Sequence, residues 1–184
     1  MSRPPEADMP VETMWQGRFI TAVRQGKWEY VNRARGIRAA VILPIEDATD
    51  GRNVILVEQF RVPLGCRCLE LPAGLIGDEA GFEGEADATA AARELEEETG
   101  YRAAHWRNAG QFYSSPGMVG ESFTLLVASG LERVGPGGGT PGEDITVHRV
   151  KLADISQFVA EKRTQGCAID AKLTMLLAPN WLAV

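Results

Sequence analysis

The stretch from Ala86 to Thr99 constrains the fold of this 184-residue chain more than any other part of it. Its sequence, ADATAAARELEEET, consists mostly of strong helix formers, and Gly100 follows where a helix commonly ends. The stretch therefore predicts a helix. At 3.6 residues per turn, Glu94 and Glu98 lie one turn apart on one face of that helix, with Glu97 beside them.

Three carboxylates on one patch repel one another, which costs an isolated helix a few tenths of a kcal/mol for each pair. A bound cation would offset this repulsion, and hard oxygen ligands favour magnesium or manganese. The alternative is an ordinary solvated acidic face, which is common on helices. The helix alone does not decide between these interpretations.

The rest of the chain predicts a mixed α and β domain. The stretch from Trp15 to Val31 alternates polar and apolar residues and predicts two or three strands, or a hairpin arm that turns at Gln25 and Gly26. Helices are predicted near Ala153 to Lys162 and in the last stretch, AIDAKLTMLLAP, and the segment GPGGGTPGED predicts a mobile loop. The predicted strands of the main sheet are IRAAVILPI, VILVEQF, CLELPAGLIG, WRNAGQFYSS, ESFTLLVASG and ITVHRVKL.

Charge and composition exclude several classes of partner. A formal net charge of -6 argues against a nucleic-acid partner, because binding to that backbone needs a clustered basic surface. No apolar run is long enough to cross a membrane and the polar start is unlike a signal peptide, so we expect no membrane partner and a cytoplasmic location. The chain has three cysteines, which we interpret as reduced thiols: Cys66, Cys68 and Cys167.

Three strings together resemble the Nudix box: ELPAG ending at Gly74, the pair ending at Glu85, and RELEEETGY from Arg93 to Tyr101. The box reads Gly, five residues, Glu, seven residues, then REUxEExGU, where U is apolar. Its second half matches at every specified position. Ten residues rather than five separate Gly74 from Glu85, which indicates an insertion in the loop before the helix. Such an insertion costs little stability and could alter the choice of substrate.

The resemblance implies a Nudix-type α/β/α sandwich with a mixed sheet, comprising an N-terminal β arm at residues 1–35 and a hydrolase domain at residues 36–184. It also implies hydrolysis of a pyrophosphate bond with Mg²⁺ as cofactor, or Mn²⁺ as the alternative. Glu143, in a later loop, would supply a further acidic group, with Asp144 as its nearby substitute, and Arg93 would pair with a box glutamate. The implied metal ligands are Glu94, Glu97, Glu98, Glu143 and the backbone carbonyl of Ala73, and the implied catalytic residues are Glu97, Glu98 and Glu143.

Further similarities point to the ADP-ribose pyrophosphatase branch of this family. Pro116 lies sixteen residues beyond Gly100, as that branch requires, and VEQFRVPLG, SPG and DAKLTMLL also resemble it. The branch implies a homodimer in which an aromatic residue of the arm stacks on adenine and an arginine contacts the diphosphate. The substrate-binding residues implied in this way are Trp28, Glu29, Arg33, Arg61, Leu75 and Pro116.

Each of these assignments has an ordinary structural alternative. Glu143 could be a surface carboxylate on a glycine-rich loop, Arg61 a surface arginine at a strand end, and Trp28 a half-buried packing residue. The expected reaction is hydrolysis of ADP-ribose to AMP and ribose 5-phosphate. The alternatives are another nucleoside diphosphate sugar such as GDP-mannose, or a catalytically silent domain that only binds a nucleotide.

Overall fold

The computed structural model describes residues 3–34, 38–76 and 86–181. The insertion predicted before the first helix, with Glu85, lies outside these residues. No helix within them is long and apolar enough to cross a bilayer. The three cysteines are free thiols, as predicted.

The N-terminal residues form a separate three-stranded antiparallel sheet. Its strands are β1 (Val11–Gln16), β2 (Ile20–Gln25) and β3 (Trp28–Arg33), and a short 3-10 turn, Pro5–Asp8, precedes them. The chain turns between β2 and β3 at Gly26, whose φ of 60° is in the left-handed region that glycine favours. The predicted arm is therefore present, and it reaches the rest of the chain through hydrogen bonds between Val31 and residues 118–120.

The main sheet has eight strands and mixed pairing. They are β4 (Arg38–Ala48), β5 (Gly51–Arg61), β6 (Cys66–Glu70), β7 (Ala73–Ile76), β8 (Tyr101–Tyr113), β9 (Ser122–Arg133), β10 (Thr146–Lys151) and β11 (Ala168–Ile169). The order is β11-β6-β5-β4-β9-β8, with β10 paired to β5 and β7 paired to β4. The β4–β9 and β6–β11 pairs are parallel, and the others are antiparallel.

Strand β4 joins the two halves of this sheet. Residues 39–44 of β4 pair with β9, whereas residues 45–48 pair with β5. Pro44 lies at the changeover, where its missing backbone N–H fits the interruption of the hydrogen-bond ladder. Strand β4 therefore contributes its first half to the β8–β9 side of the sheet and its second half to the β5–β6 side.

Helices cover both faces of the sheet: α1 (Asp87–Thr99) lies on one face, and α2 (Ile155–Thr164) and α3 (Thr174–Trp181) lie on the other. Alternate residues of the central strands point to opposite sides, as the pleat requires. Thus Ile42 and Ile55 pack with Leu95 of α1, whereas buried side chains of the opposite face pack with α2 and α3, among them Val41, Val54 and Leu56. The predicted α/β/α sandwich is confirmed.

The last predicted helix begins later than expected. Ala168 and Ile169 of that stretch form the two-residue strand β11 instead, beside β6. Asp170 then caps a 3-10 turn by accepting a hydrogen bond from the backbone N–H of Lys172 at 2.7 Å. Helix α3 begins only at Thr174 because strand pairing and this cap take precedence over the helix propensity of the preceding residues.

The C-terminus of α1 packs directly against the glycine-rich segment that the composition predicted to be a mobile loop. Gly138 and Gly139 donate their backbone N–H groups to the carbonyls of Glu98 and Glu97, at 2.8 and 3.0 Å. These bonds satisfy carbonyls that the end of a helix leaves unpaired. Gly100 has a φ of 73°, and a Cβ placed there would lie 2.3 Å from the carbonyl oxygen of Gly135.

We predict that Gly100→Ala destabilises the protein by two separable effects. Gly65 provides a matched control, since its φ of 66° is similar and nothing lies within 4 Å of a Cβ built there. Gly65→Ala should cost roughly 1–2 kcal/mol for the left-handed backbone, and Gly100→Ala at least roughly 1 kcal/mol more for the clash. Urea denaturation of both variants measures the difference, and equal losses would contradict the close backbone contact.

Candidate functional site

A cavity of about 540 Å³ opens between the N-terminal half of β4, strand β7, helix α1 and the loop before β10. Most of its wall is polar. Of the site residues that the sequence indicated, the cavity brings together Arg33, Arg61, Ala73, Leu75, Glu94, Glu97, Glu98 and Glu143. It does not include Trp28, Glu29 or Pro116 in its lining.

Strand β7 holds the acidic face of α1 in place by close contact. A Cβ at Gly74 would lie 2.0 Å from Cγ of Glu94, so only glycine lets the strand backbone approach this side chain. The backbone N–H of the neighbouring Ala73 donates to Oε2 of Glu98 at 3.1 Å. The glycine of the ELPAG string thus admits Glu94 to the cavity wall, and Ala73 contacts Glu98 through its N–H. The predicted role of the Ala73 carbonyl stays a prediction.

Burial makes the carboxylates of this wall difficult to ionise. The pKa of Glu98, whose residue is 6% exposed, is raised to about 8, first by burial and then by the charges of Glu94 and Glu143. The Ala73 N–H and the more distant Arg61 oppose this rise. The pKa of Glu94 is raised to about 7, again mainly by burial, with Arg93 opposing.

Arg93 bridges two carboxylates of the same helix. Its Nη1 lies 2.9 Å from Oε1 of Glu94 and 3.5 Å from Oε2 of Glu97. This is the pairing with a box glutamate that the resemblance implied for Arg93. The guanidinium offsets part of the repulsion on the acidic face, because an opposite charge at this distance favours the ionised carboxylate.

The chemistry of this wall fits a hard divalent cation. Every candidate ligand is a carboxylate or carbonyl oxygen, which magnesium and manganese prefer over nitrogen or sulfur. Within the described parts of the chain, no three acidic, histidine or cysteine side chains already converge as a finished metal site. Glu94, Glu98 and Glu143 each contact a donor of the protein instead, and a bound cation would compete with these donors for the carboxylate oxygens.

The loop before β10 places Glu143 in the cavity wall. Its Oε2 accepts a hydrogen bond from the backbone N–H of Thr140 at 2.6 Å. The side chain of Asp144 is 87% exposed and contacts Arg67, outside the cavity. Of the two alternatives that the sequence left open, Glu143 is therefore the one that faces the acidic helix.

Cationic side chains line the cavity as well, and each has a carboxylate partner. Arg61, at the end of β5, makes two hydrogen bonds to Glu70, at 2.6 and 2.8 Å. Arg33 bonds to Glu121 at 2.5 Å, and Lys172 pairs with Asp170. Paired arginine donors of this kind suit a diphosphate, to which they can turn when it displaces the carboxylate.

Among the charged residues of the cavity, sequence reasoning missed three: Glu70, Glu121 and Lys172. Glu70 carried a signal, because it ends an apolar strand and is only 5% exposed in the structure. A carboxylate in that position needs a cationic partner, which Arg61 supplies. Glu121 and Lys172 lie in strings that the resemblance covers, but nothing local marks them as cavity residues.

Three predicted substrate contacts lie elsewhere in this single chain. Trp28 begins β3 and pairs in register with Gln25, and its ring is 49% exposed. Glu29 follows it on the same strand. Pro116 lies in a turn closed by the bond from Met118 N–H to the carbonyl of Ser115.

We predict that magnesium binding to the metal-free protein releases protons and strengthens with pH. The raised pKa values of Glu94 and Glu98, about 7 and 8, mean that the folded protein retains protons that the unfolded chain has lost above 4.5. Stability of the metal-free protein should therefore fall as pH rises from 4.5 through 8. A cation that binds the ionised groups should displace roughly one proton or more at pH 7.

Calorimetry in two buffers of different ionisation enthalpy measures these protons. Glu98→Gln should reduce their number. Glu96→Gln is the matched control on the same helix, because Glu96 pairs with Arg102 outside the cavity lining and should leave the number unchanged. Magnesium affinity that does not change between about pH 6 and pH 9 would contradict the coupling.

Comparison with known proteins adds independent information. The NUDIX domain model matches residues 36–175. A GDP-mannose pyrophosphatase from Cronobacter sakazakii is 34% identical over 152 residues, which are 78% of this chain and 72% of that protein. An ADP-ribose pyrophosphatase from Bacillus subtilis is 41% identical over 83 residues. That match spans 45% of this chain and less than half, 42%, of the relative.

A solved structure also shares the fold. The crystal structure of an ADP compounds hydrolase superimposes with a TM-score of 0.65, covering 95% of this chain and 92% of the other. Its sequence is 24% identical, so the likeness concerns the fold alone.

Proposed function

This chain belongs to the Nudix family and is a Nudix hydrolase, and we propose that it hydrolyses the pyrophosphate bond of ADP-ribose. The observation that supports this most is that the acidic face of α1, Glu143, Arg61 and Arg33 all line one cavity. Such a wall can hold cations on one side of a diphosphate and donate hydrogen bonds from the other. In this proposal the arm is residues 1–35 and the hydrolase domain is residues 36–184.

The reaction adds water across the P–O–P linkage. Oxygen of the water forms a bond to one phosphorus while the bridging oxygen leaves with the other, giving AMP and ribose 5-phosphate. Bound magnesium, or manganese, would neutralise phosphate charge and lower the pKa of the attacking water. Glu94 and Glu98 would hold the metal, and the Ala73 carbonyl would complete its coordination.

The remaining acidic residues would act at the water. Glu97, with a side chain 41% exposed, is more exposed than Glu94 and Glu98, and from there it could reach both the cation and the solvent. Glu143 approaches from the opposite loop. We assign Glu97, Glu98 and Glu143 to orienting this water and accepting its proton, and Leu75 to contacting the substrate beside the acidic wall.

A GDP-linked sugar is the second candidate substrate. One relative that matches over most of this chain is named a GDP-mannose pyrophosphatase, whereas an ADP-ribose pyrophosphatase from Bacillus subtilis is more similar in identity over a shorter match. The metal chemistry is the same for both substrates. Discrimination therefore depends on residues that contact the base and the second sugar.

We also propose that the enzyme is a cytoplasmic homodimer in which the arm completes the site of a second copy. The arm exposes several large apolar side chains, a surface that isolated soluble chains tend to cover: Val11, Met14, Trp15, Phe19 and Trp28. Trp28 is outside the cavity of its own chain, so reaching adenine would require the cavity of a partner. Glu29 lies in the arm itself and Pro116 lies in the turn beside it, and both are assigned to this shared part of the site.

A panel of nucleotide sugars, assayed with magnesium, tests the proposed substrate. We predict that ADP-ribose gives AMP with a higher kcat/KM than GDP-mannose or UDP-glucose, and that Glu98→Gln lowers kcat at least roughly 100-fold. The Gln side chain keeps an oxygen that can accept from Ala73, so circular dichroism should show an intact fold. Turnover only with GDP-mannose would establish the second candidate instead, and no turnover with any of them would support a silent domain.

Trp28→Ala tests the shared site. We predict that it raises KM for ADP-ribose more than it lowers kcat, because stacking on the base is similar in the ground and transition states. Leu64→Ala is the matched control, because Leu64 is similarly exposed, at 55%, but lies outside both the arm and the cavity lining, and it should leave KM unchanged. An unchanged KM for Trp28→Ala would remove this residue from the site.

A further inference from the structure

The loop that carries Glu143 is fastened at both of its ends. At its start, the backbone N–H groups of Gly138 and Gly139 bind the carbonyls at the C-terminus of α1, as described above. In its middle, residues 140–143 form a tight turn in which Glu143 N–H donates to the carbonyl of Thr140 at 3.1 Å. The end of the loop is joined to its start by the bond from Ile145 N–H to the Gly138 carbonyl, at 3.3 Å, and a side chain of another strand holds it as well.

That side chain is Arg67, on β6. Its Nη1 donates to Oδ2 of Asp144 at 3.1 Å, and its Nη2 donates to the Asp144 carbonyl at 3.2 Å and to Oγ1 of Thr146 at 3.0 Å. One guanidinium group therefore binds both the side chain and the backbone of Asp144, the residue after Glu143. It also holds the first residue of β10.

Arg67 is itself held rigidly from the opposite side. Its Nε donates to Oε1 of Glu58 at 2.8 Å, and Nη2 donates to the Glu58 carbonyl at 2.8 Å. Glu58 is 8% exposed and also contacts Lys162 at 2.7 Å and His148 at 2.9 Å. Burial would raise the pKa of Glu58, but its bonds to Lys162, His148 and Arg67 lower it to about 2, so this carboxylate stays charged.

The backbone conformation of Asp144 explains why these hydrogen bonds from Arg67 matter. Asp144 has a φ of 50°, the only left-handed conformation of a non-glycine residue among the described parts of the chain. This conformation costs an L residue free energy, although less for Asp than for most, and it persists where the surroundings hold the residue in place. The bonds from Arg67 to the carboxylate and carbonyl of Asp144 supply that support, and the direction of the Asp144 backbone sets where Glu143 points.

We propose that Arg67 is a positioning residue for Glu143, acting through Asp144 from outside the cavity. The proposal rests on the assignment of Glu143 to the hydrolytic site. Arg67 does not line the cavity, so its effect reaches the reaction only through the loop. The buried Glu58 network fixes the guanidinium, the guanidinium fixes the left-handed Asp144, and Glu143 is thereby directed at the acidic face of α1.

The first test compares Arg67→Met with Arg149→Met. Arg149 lies on β10, the strand that follows the loop, and pairs with Glu46 at 2.6 Å without contacting the loop. Arg67→Met should lower kcat roughly 10- to 100-fold, the loss expected from a catalytic group displaced by about 1 Å, with little change in KM. Arg149→Met should leave kcat unchanged. Arg67→Lys keeps the charge but not the planar fork and should recover only part of the loss.

A double-mutant cycle separates positioning from general damage. In the Glu143→Gln background, Arg67→Met should cause no further loss of kcat, because the group that it positions is already gone. Losses that multiply would overturn the proposal. Asp144→Asn provides a second route if Arg67→Met folds poorly: it tolerates the left-handed backbone, removes the charged acceptor, and should lower kcat in the same direction by a smaller factor.

Amide hydrogen exchange provides a readout that does not depend on turnover. Exchange of residues 140–145 should accelerate in Arg67→Met and in Asp144→Asn but not in Arg149→Met, while exchange of α1 stays unchanged. Unchanged exchange at residues 140–145 would overturn the proposal even if the enzyme were inactive on ADP-ribose. Acceleration in a protein that hydrolyses no nucleotide sugar would instead place the failure in the proposed function.

Discussion

Burial of carboxylates is the constraint on which the rest of this structure depends. Glu94 and Glu98 are held side by side in a wall that excludes much of the solvent, and burial raises the pKa of each to about 7 and about 8. Neither side chain would remain in such a place without support from the backbone. Gly74 supplies it by allowing β7 to touch Glu94, and the Ala73 N–H supplies it by binding Glu98. The free energy stored in this arrangement is what a divalent cation can recover when it binds.

Close packing of backbone against backbone explains why so much of the chain beside α1 is glycine. Helix α1 ends against the segment from residue 135 to 139 with backbone packed on backbone: a Cβ at Gly137 would lie 2.4 Å from the carbonyl carbon of Thr99. The next two residues, Gly138 and Gly139, donate hydrogen bonds to the carbonyls of Glu98 and Glu97, and the loop that carries Glu143 begins there. The helix and the loop are therefore fitted to each other, so that ligands from two distant parts of the chain meet at one cavity.

Local features were predictable from the sequence, and long-range ones were not. Helix propensity and Gly100 predicted α1 to within one residue, and apolar alternation predicted the main strands. The glycine segment was interpreted as mobile because its partner, the end of α1, lies more than thirty residues earlier in the sequence. The Arg33–Glu121 pair joins residues 88 positions apart, which no local pattern reveals. Trp28 illustrates the same limit. Its residue type suggests that the ring stacks on a base, but which group the ring contacts depends on how two copies of the chain assemble.

The charge balance of the cavity indicates in what form a diphosphate can enter it. Six carboxylates line the wall, those of Glu70, Glu94, Glu97, Glu98, Glu121 and Glu143, against the four cationic side chains of Arg33, Arg61, Arg93 and Lys172. Three of these cations already pair with a lining carboxylate. When Glu94 and Glu98 are ionised, above their raised pKa values of about 7 and 8, a bare diphosphate would meet an excess of negative charge, and each arginine would have to leave a carboxylate to bind it. A divalent cation held by the carboxylates of α1 would reverse this balance, because it would neutralise part of their charge and present the opposite sign to the phosphate oxygens. On the proposed function, substrate binding and metal binding should therefore strengthen each other.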